Sequence, residues 1–147
     1  MKTPALPNPN ILLVDDNRDG LLVRRTVLEE LGYGVSVARN GEEGLKLFES
    51  AHFDVVVTDY RMPRMNGAEL IQWIRKLNPN ARIILLSGFV EGLGLTEENT
   101  GADVVMAKSS NEPAQLTRWV KRLLNRAARK PPATQKNRPA RAKVSSG

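Results

Sequence analysis

The feature that most constrains this chain is an alternation. Five short apolar runs, at residues 11–14, 35–38, 53–57, 82–86 and 103–107, are separated by stretches with helical periodicity. The first, third and fourth runs are nearly unbroken Ile, Leu and Val, the composition of strands covered on both faces, as in parallel sheets. Between the runs, Val23, Val27, Leu28 and Leu31 fall on one helical face that ends at Gly32. Asn40 is placed to cap a shorter helix through Leu45 and Phe48. Leu70, Ile71, Ile74 and Leu77 repeat ahead of an Asn78-Pro79 stop, and Leu116, Val120, Leu123 and Leu124 form the last stripe. This pattern predicts an α/β domain built of βαβ units, a parallel sheet with helices on both faces. The weakest segment is 90–100, where Gly92 and Gly94 interrupt scattered apolar residues and predict a short or mobile fourth helix.

The chain has 147 residues, the size of one domain, with 41% hydrophobic and 26% charged residues. It contains no cysteine, which excludes a disulfide framework and a thiolate metal site and fits a reducing compartment. The first ten residues carry one lysine and three prolines, and the apolar run that follows stops at Asp15-Asp16. Neither a signal peptide nor a membrane span is expected, and the predicted location is cytoplasmic. The formal net charge of +6 is unevenly distributed: residues 126–147 hold seven basic residues and no acid, leaving 15 basic against 16 acidic residues in 1–125. The expected organisation is an N-terminal arm (1–9), a folded domain (10–125) and a basic, disordered tail (126–147). The tail has no interleaved aromatics and no helix-turn-helix accompanies it, so sequence-specific DNA recognition is not expected. Binding of nucleic acid or an acidic partner through counterion release is the alternative to a solvated linker.

In an open α/β sheet, ligands bind beyond the carboxyl ends of the strands. The first run ends in Asp15-Asp16, the third in Thr58-Asp59, the fourth in Ser87-Gly88 and the fifth in Lys108. Taken singly these are bland: Asp15-Asp16-Asn17 reads as a helix cap, Asp59 as a turn residue, Lys108 as a solvated strand end. Placed together on one patch they make a site. Three crowded carboxylates repel one another, and a hard divalent cation with oxygen preference, Mg²⁺, offsets that repulsion. Lys108 supplies a mobile positive charge and Ser87 a hydroxyl donor for phosphoryl oxygens. Asp59 is then the nucleophile, a carboxylate that attacks phosphorus to form an acyl phosphate.

Val14-Asp15-Asp16, the run from Val55 through Thr58-Asp59-Tyr60-Arg61-Met62-Pro63 to Gly67, Leu86-Ser87-Gly88 and Lys108 together resemble a response-regulator receiver domain of two-component signalling, of the chemotaxis-type single-domain form. The likeness spans roughly residues 10–125. It implies a flavodoxin-like, doubly wound five-stranded parallel sheet in the order 2-1-3-4-5. It implies Asp59 as phosphoacceptor, Ser87 and Lys108 as its catalytic partners, and a Mg²⁺ site of Asp15, Asp16, Asp59 and the Arg61 backbone carbonyl, with Asp16 the more direct ligand and Asp15 acting largely through water. It also implies a histidine kinase or phosphotransfer protein as donor and an unknown downstream protein as target. Such a protein is not a turnover enzyme; its only chemistry is self-catalysed phosphoryl transfer and hydrolysis.

Three departures from the family pattern stand out. Ser109 follows Lys108 where proline is usual, and with Glu112 it is placed to form a capping box for the last helix. Val105 stands where an aromatic or histidine is usual, and the fourth helix is glycine-rich. The Val105 and Ser109 departures motivate one alternative, a pseudo-receiver that binds partners without phosphorylation, against which the complete acidic pocket argues. An aspartyl phosphatase is a second; those enzymes use Asp-x-Asp, whereas here the acids are adjacent. Arg61 and Phe89 flank the expected pocket at positions that tune water access in similar receivers.

Overall fold

The structure, a computed structural model, describes residues 8–129. The strands are β1 (Asn10–Val14), β2 (Gly34–Ala38), β3 (Val55–Asp59), β4 (Ile83–Ser87) and β5 (Val104–Ala107). The helices are α1 (Arg18–Glu30), α2 (Gly41–Ser50), α3 (Gly67–Leu77), α4 (Val90–Leu93), α5 (Glu97–Thr100) and α6 (Glu112–Arg129). All strand pairs are parallel, in the order β2-β1-β3-β4-β5. The fold is therefore the expected flavodoxin-like one.

The strands read as continuous apolar runs because both faces are covered. Ile11, Leu13, Val55, Val57, Ile84 and Leu86 face a layer formed with Leu21 and Leu28 of α1 and Leu116, Val120 and Leu123 of α6. Their neighbours Leu12, Val14, Val56, Ile83 and Leu85 face the opposite layer with Leu70, Ile71 and Ile74 of α3. This is the period-two alternation of a strand, invisible in the sequence because neither face is polar.

Helix ends follow local chemistry. The Asn40 side chain accepts the Glu43 N–H at 2.8 Å, and Asn66 and Glu69 form a reciprocal capping box at the start of α3. Helix α1 ends in a Schellman turn: Gly32 sits at φ +92°, its N–H donates to the Glu29 carbonyl, and the Tyr33 N–H donates to the Leu28 carbonyl.

Four expectations need correction. The inward face of α1 carries Leu21, Arg24 and Leu28, while Val23 and Leu31 of the expected stripe lie outside. The segment expected to form one short fourth helix is two single turns, α4 and α5, separated by Gly94 in the left-handed region at φ +66°. No Ser109–Glu112 capping box forms: Ser109 Oγ accepts from the Asn111 N–H, and the Glu112 carboxylate turns inward to Arg24. Helix α6 continues to Arg129, so the first four residues assigned to the tail are helical. The rest of the tail (130–147) and most of the expected N-terminal arm (1–7) lie outside the described residues. Among the described residues, no helix is long and apolar enough to cross a membrane.

Candidate functional site

The parallel register carries the charged residues to one end of the sheet. Val14 pairs with Thr58, so Asp15 and Asp59 follow on the same level of adjacent strands. Strand β1 lies between β2 and β3, the point where the connection changes direction and a crevice opens. Ser87 ends β4 opposite Ala107, and the Lys108 N–H donates to the Ser87 carbonyl at 2.9 Å. The order of the strands, not proximity in sequence, brings these groups together.

Carboxylate oxygens of Asp15, Asp16 and Asp59 all lie within 4.8 Å of one another. Asp15 and Asp59 are buried, whereas Asp16 faces solvent and has no hydrogen-bond or ion partner among the described residues. Lys108 Nζ lies 2.8 Å from Asp59 Oδ1 and 3.9 Å from Asp15 Oδ2. Burial pushes the Asp59 carboxyl above its ordinary range, and Asp15 nearby adds to this, while Lys108 and Arg24 oppose it. A set of hard oxygen donors with one solvent-facing member fits Mg²⁺, which keeps several waters and takes one or two carboxylates.

Arg24 was not singled out from sequence, and its partner Glu112 was read there only as half of a helix cap. Arg24 NH1 donates to Asp15 Oδ2 at 2.6 Å, while its Nε and NH2 donate to the two Glu112 carboxylate oxygens at 3.2 and 2.9 Å. Burial would lower the Arg24 pKa, but the Glu112 carboxylate, and then Asp15, raise it above its ordinary value. The sequence signal was an arginine standing between Leu21 and Leu28 on a core-facing line, easily discarded when only apolar residues are counted. Asp15 Oδ1 accepts the Asn17 N–H at 2.9 Å, and the Asn17 side chain, rather than either aspartate, caps α1 by accepting from Gly20.

Ser87 is buried, and its Oγ accepts the Phe89 N–H at 3.1 Å. The Arg61 guanidinium lies over the exposed Phe89 ring at 5.3 Å, so the two flanking residues touch each other at the mouth of the site. Val105 packs partly buried beside the α3 layer, and its N–H, on the edge strand β5, donates to the Glu97 carboxylate of α5 at 3.0 Å.

The raised Asp59 carboxyl has a consequence for stability in Mg²⁺-free buffer. Between the unfolded value, about 3.9, and the higher folded value, the folded chain holds more protons, so stability falls as pH rises through that window. At neutral pH the ionised Asp59 is therefore destabilising. Asp59→Asn is expected to raise the melting temperature at pH 7, with the gain shrinking toward zero below about pH 4. Thermal melts of both chains in EDTA check this; equal melting temperatures at pH 7 would contradict it.

Comparison with known proteins agrees with the geometry. Residues 11–121 match the model of the response regulator receiver domain. A response regulator receiver protein of Anaeromyxobacter sp. (strain Fw109-5) is 40% identical over 79 residues, covering 54% of this chain and 33% of that protein. The chain thus spans about a third of that relative's length. The crystal structure of a CheY-like receiver domain protein from Methanospirillum hungatei JF-1 superposes with a TM-score of 0.78 at 30% identity, covering 84% of this chain and 99% of that one. The response regulator TrrA of Thermotoga maritima, solved with Mg²⁺ and BeF and separately with the histidine kinase ThkA, superposes at 0.71 with 37% identity, covering 79% of this chain and, in the Mg²⁺–BeF structure, 99% of that one. With the matched residues running from β1 into α6 and the acidic cluster at the head of the sheet, this chain belongs to the response regulator receiver domain family.

Proposed function

We propose that the chain accepts a phosphoryl group on Asp59 from the phosphohistidine of a histidine kinase or phosphotransfer protein, and signals or relays through binding to other proteins as a single-domain regulator. One observation carries this reading: three carboxylates within 4.8 Å of one another, with Lys108 Nζ 2.8 Å from Asp59. The complex of TrrA with ThkA supports a kinase as donor, and its Mg²⁺–BeF complex supports the metal.

In this reading an Asp59 carboxylate oxygen attacks phosphorus while the bond from phosphorus to the donor imidazole nitrogen breaks, leaving an acyl phosphate. Asp16, Asp59 and the Arg61 carbonyl would hold Mg²⁺ directly. Asp15, whose two oxygens are already engaged by the Asn17 N–H and Arg24, would act through water. The bound ion supplies neutralisation of charge on the transferring oxygens. Lys108, which holds Asp59 Oδ1 in the resting site, is placed to pass to a phosphoryl oxygen without crossing the pocket. The Ser87 hydroxyl can donate to another oxygen, provided that its acceptor bond from the Phe89 N–H is kept or exchanged as the β4–α4 loop moves. That motion is the switch that partners read. The reading places the protein in the cytoplasm, where such donors work, and makes it a phosphoacceptor and not a turnover enzyme.

Incubation with acetyl phosphate and measurement of intact mass tests the reading. A gain of one phosphoryl group that requires both Mg²⁺ and Asp59, and is lost in Asp59→Ala, is the expected outcome. No gain in mass, together with no response to a beryllofluoride mimic, would favour the pseudo-receiver, to which Val105 and the Ser109 loop point. In that case partner binding would be indifferent to Asp59→Asn.

A further inference from the structure

The buried triad Asp15–Arg24–Glu112 has no evident purpose in stability. Arg24 is 7% exposed, Asp15 2% and Glu112 6%, so three charges are withdrawn from water, and Arg24 is so on a helix face otherwise occupied by Leu21 and Leu28. A leucine at that position would complete an apolar layer, and buried ion pairs commonly stabilise no more than well-packed hydrophobic residues of similar size. The triad does have a direction. The guanidinium reaches Asp15 in the acidic pocket with NH1, at 2.6 Å, and turns its other edge, Nε and NH2, to both oxygens of Glu112 at the first residue of α6. Its positive end therefore stands nearest the pocket, and the compensating negative charge stands behind it.

We infer that Arg24 is a resident counter-ion of the acidic pocket, a positioning residue that sets the affinity for a divalent cation through Asp15, with its strength set by Glu112. The inference rests on the reading of the pocket as a Mg²⁺ site. Two cations, Arg24 and Lys108, already approach Asp15 Oδ2, at 2.6 and 3.9 Å, and Lys108 also holds Asp59. An incoming cation meets a pocket whose negative charge is partly answered. It must share Asp15 with a guanidinium that cannot deprotonate.

The same contact ties the pocket to the loop that follows β5. Lys108 is anchored by its N–H to the Ser87 carbonyl and by its ammonium to Asp59. Four residues later Glu112 is clamped to Arg24, while Ser109 between them lacks the rigidity of proline. The Arg24–Glu112 pair thus fixes the far end of the segment that carries Lys108, and a cation that alters the hold of Asp15 on Arg24 is felt at the start of α6.

Two variants move the metal affinity in opposite directions. Glu112→Gln removes the negative charge behind the guanidinium and leaves Arg24 more effective against a cation; Mg²⁺ binding weakens. Arg24→Leu/Glu112→Leu removes both charges, and the loss nearer the pocket dominates; Mg²⁺ binding tightens. Each change is expected to be on the order of threefold. The ion is doubly charged, and near-aqueous screening leaves about 1 kcal/mol between unit charges roughly 4 Å apart; distance in one variant and the opposite charge in the other reduce the effect. The experiment is calorimetric titration of the full chain with Mg²⁺, beside thermal melts that verify folding of each variant. In the double variant Asp15 keeps only the Asn17 N–H and Lys108, 3.9 Å away, as partners, so its melt is read before its affinity. Weaker binding in Glu112→Gln together with tighter binding in the double variant supports the inference. Equal dissociation constants in wild type and both variants, or tighter binding in Glu112→Gln, overturns the role of Arg24 while leaving the Mg²⁺ site itself standing. No Mg²⁺ binding in folded wild type overturns both the site and the inference.

Discussion

Replacing Glu112 alone by alanine is expected to lower stability by about 3 kcal/mol, a fall in melting temperature on the order of 10 °C for a domain of this size. The carboxylate receives two hydrogen bonds from Arg24, and both side chains are almost wholly buried. Its removal leaves a guanidinium that cannot shed its proton, held only by Asp15, in a layer lined by apolar groups. That residual contact keeps the loss at the lower end of the range for breaking a buried pair. Chemical denaturation of wild type, Glu112→Ala and Arg24→Leu/Glu112→Leu measures the effect. The double replacement removes the stranded guanidinium but also takes from the buried Asp15 its 2.6 Å partner, so it is expected to recover only part of what the single one loses. A double variant less stable than Glu112→Ala would mean that Asp15 depends on Arg24 more than the guanidinium depends on Glu112.

Gly67→Ala is expected to be nearly as costly, with a different cause. Gly67 opens α3 directly behind the site, and its N–H donates to the Tyr60 carbonyl at 2.7 Å. A methyl group there would stand 2.3 Å from the Asp59 carbonyl oxygen, 2.7 Å from Leu85 Cδ1 and 3.0 Å from Tyr60 Cα. Leu85 can turn aside, but the Asp59 and Tyr60 atoms are backbone and move only if the end of β3 moves. Overpacking of this kind costs about 2–3 kcal/mol. Here the displaced atoms belong to the residue proposed to receive the phosphoryl group. Gly67→Ala is therefore expected to lower both the denaturation midpoint and the rate of phosphoryl uptake from acetyl phosphate. An open-surface glycine, Gly92, where a methyl group would meet nothing within 4 Å, is the control expected to leave uptake unchanged. Normal uptake in a destabilised Gly67→Ala chain would show that α3 gives way instead of β3.

Much of the molecule was legible in its residues. Strands buried on both faces need an uninterrupted apolar run, and residues 11–14, 55–57 and 83–86 have no alternative use in water. Asn40 and Gly32 mark helix ends because a side chain, or the lack of one, satisfies backbone groups that the helix cannot. Asp15, Asp59, Ser87 and Lys108 could be read as one patch because the strands are parallel and their carboxyl ends therefore lie on one side. These inferences use local chemistry and a single rule of chain direction.

The tertiary structure decided what depends on pairs of distant residues. The place of Arg24 between Leu21 and Leu28 on one helical line points it at the core, but no residue near it in sequence supplies the partner that burial requires. Its burial is tolerable only because Glu112, 88 residues later, arrives beside it when α6 packs on α1. For the same reason the spacing of Ser109 and Glu112 suggested a cap that did not form: the carboxylate can satisfy either a backbone N–H in water or a guanidinium withdrawn from it, and the second, charged and buried, is the stronger demand. Likewise α1 turned Leu21 and Leu28 inward in preference to Val23 and Leu31, because the helix orients to place a whole face, charge included, against the sheet. Periodicity of apolar residues determines that a helix has an inner face; only the packed partner determines which face it is.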